Sequence, residues 1–224
     1  MSEKPIILYA APTGNGAKVP IFLEELKAAY GTPDYDLKII DLKSKEQKQP
    51  WFIEVSPNGT IPALTDRSRG NFNVFETGAI LLYLAHNYDK EGKFSFNEQT
   101  EEKEHNEMLQ WMFFVHSFVV PMNSQVMFWT YFAEQENPVA RERYVSEVKR
   151  LYGVLDTRLK DRDYLVGPGR GKYTLLDVST WCTVNVYGRA QIAANLDEWP
   201  ALKAWHTTIA ARTPVQAALK AVKW

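Results

Sequence analysis

The sequence predicts two domains of different class, an α/β domain followed by an all-helical one, and three observations carry that expectation. Residues 6–9 form a continuous apolar run that leads through a Pro/Gly-containing turn into apolar positions at helical spacing. Tyr35, Leu37 and Ile39 alternate with Asp36 and Lys38 in the manner of a strand. From Asn97 onward only helical periodicity is present.

The first run reads as a strand covered on both faces, because no polar residue alternates within it. Val19, Phe22, Leu23 and Leu26 then mark a helix that must start within Pro12-Thr13-Gly14-Asn15-Gly16. The first N–H groups of a helix lack intrahelical partners and carry the positive end of its dipole. An anion beside Thr13 and Asn15 is therefore stabilised, whether thiolate, carboxylate or phosphate. The turn fits neither common phosphate motif. Lys18 is followed by Val19 rather than Ser or Thr, and no third glycine completes Gly14-x-Gly16. A strand-to-helix turn with no further role accounts for the same residues.

The strand at Tyr35 is reached through that helix, which makes a βαβ unit with parallel neighbouring strands. Residues 43–49, with Pro50, Trp51 and Phe52, read as a surface excursion closed by the turn Ser56-Pro57-Asn58-Gly59. A strand is expected over residues 60–65, interrupted at its start by Pro62, and residues 72–75 pair with it through a loop containing Gly70. Glu76-Thr77-Gly78 opens the next helix, whose N-terminus is a second site favourable to anions. Asp89-Lys90-Glu91-Gly92-Lys93 has the composition of a linker, so the expected boundaries are 1–89 for the first domain, 90–97 for the linker and 98–224 for the helical domain.

In the second half, residues 108–120 form an aromatic helix stopped or kinked by Pro121 and followed by a helical stretch at 126–132. Its aromatics are expected mostly in the core, with some of Trp111, Phe114, Phe128 and Trp129 left to line a cleft. Asn137-Pro138 starts a helix with the stripe Tyr144, Val148, Leu151, Leu155 and Leu159. Thr174 and Asp177 form a capping signature for a helix running to Tyr187, apolar on most sides and so central to a bundle. Shorter helices near 201–211 and 215–221 finish the chain.

Composition narrows the function. With 26 basic and 27 acidic residues mixed along 224, the chain shows no electrostatic footprint for nucleic acid or an anionic membrane surface. It has no signal-like segment and no membrane-spanning run, and its one cysteine, Cys182, suits a reducing compartment, so a cytoplasmic location is expected. Cys182 lies in a helical apolar pattern and reads as a buried, inert thiol. His86, His105, His116 and His206 have no metal-ligand spacing, so no metal is expected. Without a Cys-x-x-Cys or a Gly-x-Ser-x-Gly elbow, redox or nucleophilic chemistry needs a borrowed thiol.

Taken together, the stretches APTGNGAKVPIFLEEL, QKQPWF, SPNGTIPALTD, FETGAILLYLA, QWMFFVHSF, RERYVSEVKRLYGVLDTRL and WHTTIAARTPVQ resemble the glutathione transferase superfamily over nearly the whole chain. They are most similar to the nu-class enzymes of bacteria and to the fungal branch related to the yeast nitrogen-catabolite regulator. The resemblance implies a thioredoxin-like N-terminal domain that binds glutathione and an all-α C-terminal domain for the co-substrate. It places Thr13 and Asn15 at the glutathione sulfur, and Ile61 with a cis Pro62 against the tripeptide backbone. Glu76 and Thr77 fall at the γ-glutamyl end, Gln47 and Lys48 near the glycyl carboxylate, and Arg143 at a cross-dimer contact. A surface arginine with a solvated head accounts for Arg143 equally well.

The function so implied is a glutathione-dependent disulfide oxidoreductase or peroxidase with some transferase activity, as in detoxification. Glutathione is its co-substrate, a small electrophile, disulfide or peroxide its partner, and a homodimer its assembly. Two alternatives use the same fold: a non-catalytic carrier of glutathione conjugates or apolar ligands, and a regulatory interaction protein. The chain departs from the family pattern at Gly14, where proline is usual, at Thr60, where Arg or Lys is common, and at residues 117–120, where bulkier side chains replace a glycine-rich run.

Overall fold

The computed structural model describes residues 3–224. They divide into two compact units, one made of residues up to Ser95 together with Ala210–Trp224, the other of Phe96–Ile209.

The first unit is built on a sheet of β1 (Ile6–Ala10), β2 (Tyr35–Ile39), β3 (Ala63–Asp66) and β4 (Phe72–Phe75), in the order β2-β1-β3-β4. β1 and β2 are parallel through α1 (Gly14–Tyr30), as the βαβ reading requires, while β3 runs antiparallel to both β1 and β4. Side chains alternate across β1. Ile7 and Tyr9 join a cluster with Ile40, Phe52, Ala63, Leu42, Val55 and Ile61 under α2 (Pro50–Val55). Ile6, Leu8 and Ala10 are fully buried on the opposite face, where α1 and α3 (Thr77–Tyr88) pack. The strand is thus covered on both faces, which explains its unbroken apolar sequence.

Two local expectations are corrected. The segment read as a surface excursion holds a 3-10 turn at Glu46–Lys48 and the helix α2, which Pro50 starts at its first position and Phe52 anchors in the core. The strand expected at 60–65 begins only at Ala63, because Pro62 has no N–H to give the ladder; the Ile61–Pro62 bond is cis, as expected.

The terminal helix, α9 (Thr213–Val222), packs on α1 of this sheet unit. It buries Val215, Ala218 and Val222, and at its start Arg212 clasps the buried Glu25 carboxylate at 2.6 and 2.7 Å.

In the second unit, α4 (Glu102–Phe114) begins earlier than the aromatic run suggests. It passes through a π turn at Val115–Val119 into α5 (Val120–Tyr131), so Pro121 does not stop the helix. The Val120 N–H reaches back to Val115, and this wider turn just before Pro121 makes room for the proline ring. Several aromatics of this stretch stay outside the core: Phe113 is 67% exposed and Phe128 44%. α6 (Pro138–Leu159) is capped by Asn137, whose side chain accepts from the Ala140 N–H at 3.0 Å. α7 (Leu175–Val184) is shorter than expected but central, with every residue buried, and α8 (Pro200–Ala210) completes the bundle. No helix among the described residues is long and apolar enough to cross a membrane.

Candidate functional site

Sheet register decides which loops meet. Ala10 is paired with Ile39, Tyr9 with Ala63, and Ala63 with Phe75. The C-terminal ends of β1 and β4 therefore lie at the same end of the sheet as the start of β3. Thr13-Gly14-Asn15, Ile61-Pro62 and Glu76-Thr77 leave the strands there, and both α1 and α3 begin there, each with its N-terminus at that end.

The turn into α1 is tight. The Thr13 N–H donates to the Ala11 carbonyl at 2.7 Å, and the Thr13 hydroxyl accepts from the Gly16 N–H at 3.0 Å, capping the helix. Because the oxygen already accepts, its own proton is what it can offer an anion. Gly16 is required by close approach: a Cβ there would lie 2.0 Å from the Ala11 carbonyl oxygen. The N–H groups of Gly14 and Asn15, and the Asn15 side-chain amide, have no partner among the described residues. No acidic residue stands in the first turn to oppose an incoming negative charge. Sequence reasoning missed Gly16, whose need for a missing side chain comes from a contact with a residue before the turn.

At the second helix start, Glu76 has φ 69° and ψ 121°, a region a non-glycine residue enters at a cost of about 1–3 kcal/mol. Its carboxylate is exposed and does not cap α3, while Thr77 is buried. A carboxylate held in a costly backbone conformation beside an open helix N-terminus suits a ligand carrying both an ammonium and a carboxylate group.

Gln47 and Lys48 lie on the 3-10 turn, where the Lys48 ammonium donates to the Asn58 carbonyl at 3.1 Å, and the Gln47 amide oxygen is buried without a hydrogen-bond partner. Their link to the sheet end is the loop from Asn58 to Pro62. Arg143 lies apart from these residues in sequence and unit. It is an exposed residue of α6 near Glu147, whose main partner is Arg150 at 2.6 Å. Cys182, on α7, is fully buried. Among the described residues, no group of three or more His, Cys, Asp or Glu side chains is arranged to hold a metal.

Two family models match the chain: the N-terminal domain of glutathione S-transferases over residues 4–86 and their C-terminal domain over residues 98–213. The chain is 40% identical over 221 residues to the Disulfide-bond oxidoreductase YfcG of Escherichia coli, covering 96% of this chain and 95% of that protein. Among solved structures, it is similar to the glutathione transferase URE2P6 from Phanerochaete chrysosporium in complex with oxidised glutathione. That match has a TM-score of 0.90 and 32% identity, over 98% of this chain and 97% of the other. It is also similar to a glutathione transferase homologue from Lodderomyces elongisporus with two glutathione molecules per subunit, with a TM-score of 0.88 and 34% identity, over 97% and 99% of the two chains.

Proposed function

The chain belongs to the glutathione transferase family, and on that footing we propose that it reduces disulfides with glutathione as the source of the attacking sulfur. One observation carries the reading: the start of α1 offers N–H groups, an amide and a hydroxyl to an anion but no protein thiol, while the chain's single cysteine is buried in α7. A disulfide oxidoreductase among its relatives, and a solved neighbour holding oxidised glutathione, support the same reaction class.

The chemistry is thiolate–disulfide exchange. A glutathione thiolate attacks one sulfur of the substrate disulfide, the S–S bond breaks, and the departing thiolate takes up a proton. A second glutathione thiolate then attacks the mixed disulfide, releasing the second substrate thiol and leaving glutathione disulfide. Lowering a thiol pKa from ~8.5 to ~6.5 requires roughly 2.7 kcal/mol of preference for the anion. A helix N-terminus contributes about 0.3–2 kcal/mol and a hydrogen bond to a charged group about 1.5–3 kcal/mol, so Asn15 and the turn together suffice without a basic residue. The test is a panel with glutathione and one each of a small disulfide, a hydroperoxide and a chloronitrobenzene. Disulfide reduction should be fastest, with peroxide reduction as the nearest competitor. Conjugation of the aryl chloride outrunning both would overturn the assignment.

In this reading Glu76 answers the γ-glutamyl ammonium and the start of α3 its carboxylate. Glu76→Ala should weaken glutathione binding by about 1.5–3 kcal/mol in titration calorimetry, the range for one charge-assisted hydrogen bond. An unchanged affinity would remove Glu76 from the site.

A further inference from the structure

The turn that carries Gln47 and Lys48 rests on a glycine. Gly59 is buried and has φ 61°; a Cβ built on it would lie 2.8 Å from Ile53 Cδ1, 2.9 Å from the Gln47 backbone oxygen and 3.0 Å from Lys48 Cδ. Ile53 Cδ1 and Lys48 Cδ belong to side chains that can swing away. The Gln47 carbonyl cannot, because it is part of the 3-10 turn itself. Around the contact, the Gly59 N–H closes its own turn onto the Ser56 carbonyl at 2.7 Å, and the Lys48 ammonium is tethered to the Asn58 carbonyl at 3.1 Å. The Gln47–Lys48 turn is thus seated directly on the Asn58–Gly59 backbone, closer than a side chain at residue 59 allows. Gly59 is also followed immediately by Thr60, Ile61 and the cis Pro62, the segment that enters the sheet end described above.

A second observation concerns what the seated turn presents. The Gln47 amide oxygen is buried with no hydrogen-bond partner, and its amide nitrogen has no partner among the described residues. The orphaned acceptor is turned inward, which leaves the two amide N–H donors for a ligand. Lys48 adds a point charge next to them, so the pair is suited to a carboxylate.

We propose that Gly59 is a positioning residue for recognition of the glycyl carboxylate of glutathione: its missing side chain lets the Gln47–Lys48 turn settle where the amide donors and the ammonium meet that group. The inference rests on the glutathione-dependent reading above. Neither glutathione's sulfur nor its γ-glutamyl end enters it, so its consequences are confined to one end of the ligand.

That confinement supplies the test. Steady-state kinetics of disulfide reduction are measured with glutathione and with γ-glutamylcysteine, which lacks the glycyl residue, for the wild type, Gly59→Ala, Gly59→Asn and Lys48→Met. Asparagine tolerates a positive φ, so Gly59→Asn keeps the backbone conformation and isolates the Cβ contact. Each variant should raise KM for glutathione about tenfold or more, with kcat within about twofold, and leave KM for γ-glutamylcysteine unchanged. A general loss of stability would move both thiols together. If Lys48→Met leaves the preference for glutathione intact, the turn does not meet the glycyl carboxylate, and the underlying placement of the ligand fails. If Lys48→Met abolishes the preference while a folded Gly59 variant retains it, the role given to Gly59 is overturned. It is overturned equally if neither glycine variant folds, because the glycine then serves the fold rather than the ligand.

Discussion

Replacing Asn15 by alanine should lower the rate of glutathione-dependent disulfide reduction roughly tenfold to a hundredfold, the effect of losing one hydrogen bond of about 1.5–3 kcal/mol to a thiolate. The pH–rate profile should move to higher pH in the same variant, because the thiol loses part of what favours its anion. Affinity for glutathione should change much less, since the proposed contacts to the rest of the tripeptide lie at other residues. The structure sharpens this test by assigning helix capping to another residue. The Thr13 hydroxyl accepts the Gly16 N–H at 3.0 Å, whereas the Asn15 amide has no partner among the described residues. Asn15→Ala therefore removes a donor and leaves the cap in place. Asn15→Asp discriminates further: an acidic residue in the first turn favours the helix dipole but repels a thiolate. The aspartate variant should accordingly be at least as stable as the wild type and nearly inactive. Full activity of Asn15→Asp would show that residue 15 serves only the helix.

Asp177→Ala should destabilise the protein by about 3–5 kcal/mol, the range for removing one partner of a buried charged group. At about 2–4 °C per kcal/mol for a chain of this size, the melting temperature should fall by roughly 10 °C. The carboxylate is fully buried and accepts from the Leu165 N–H at 3.1 Å, the Trp205 indole at 3.0 Å, the Thr174 N–H at 2.9 Å and the Thr174 hydroxyl at 3.1 Å. Alanine leaves these donors in the interior without an acceptor.

The pH dependence has a definite sign. Burial pushes the Asp177 carboxyl up to about 6, against the hydrogen bonds from Leu165, Trp205 and Thr174. A folded pKa raised above the unfolded one contributes stability that is fully present below about pH 4 and is lost as the pH rises through about 6. The difference between wild type and Asp177→Ala, read from denaturant unfolding, should thus be larger near pH ~5 than near pH ~7.5. A difference that shrinks on acidification would mean that the hydrogen bonds outweigh burial and hold the carboxylate ionised.

Some of this molecule was decided by local sequence. Residues 6–9 announce a two-sided strand, Thr13 and Asn137 announce helix starts, and Thr174 with Asp177 announces the capped central helix. Each follows from a cap or a spacing that acts within a few residues. The helix start that the proposed chemistry uses was legible for the same reason, since a helix N-terminus and the polar residues on it form a contiguous stretch. Register was not legible. That Ala63 pairs with both Tyr9 and Phe75, and so carries Ile61, Pro62 and Glu76 to the end of the sheet where Thr13 lies, depends on strand pairing across long separations. The docking of α9 on α1 was likewise settled by packing rather than by residue preference. The two glycines show the division most clearly. Gly16 and Gly59 read in sequence as ordinary turn residues. Only the fold brings the Ala11 carbonyl to 2.0 Å and the Gln47 carbonyl to 2.9 Å from where their side chains would be, because an excluded volume belongs to the neighbour and not to the residue that must stay small.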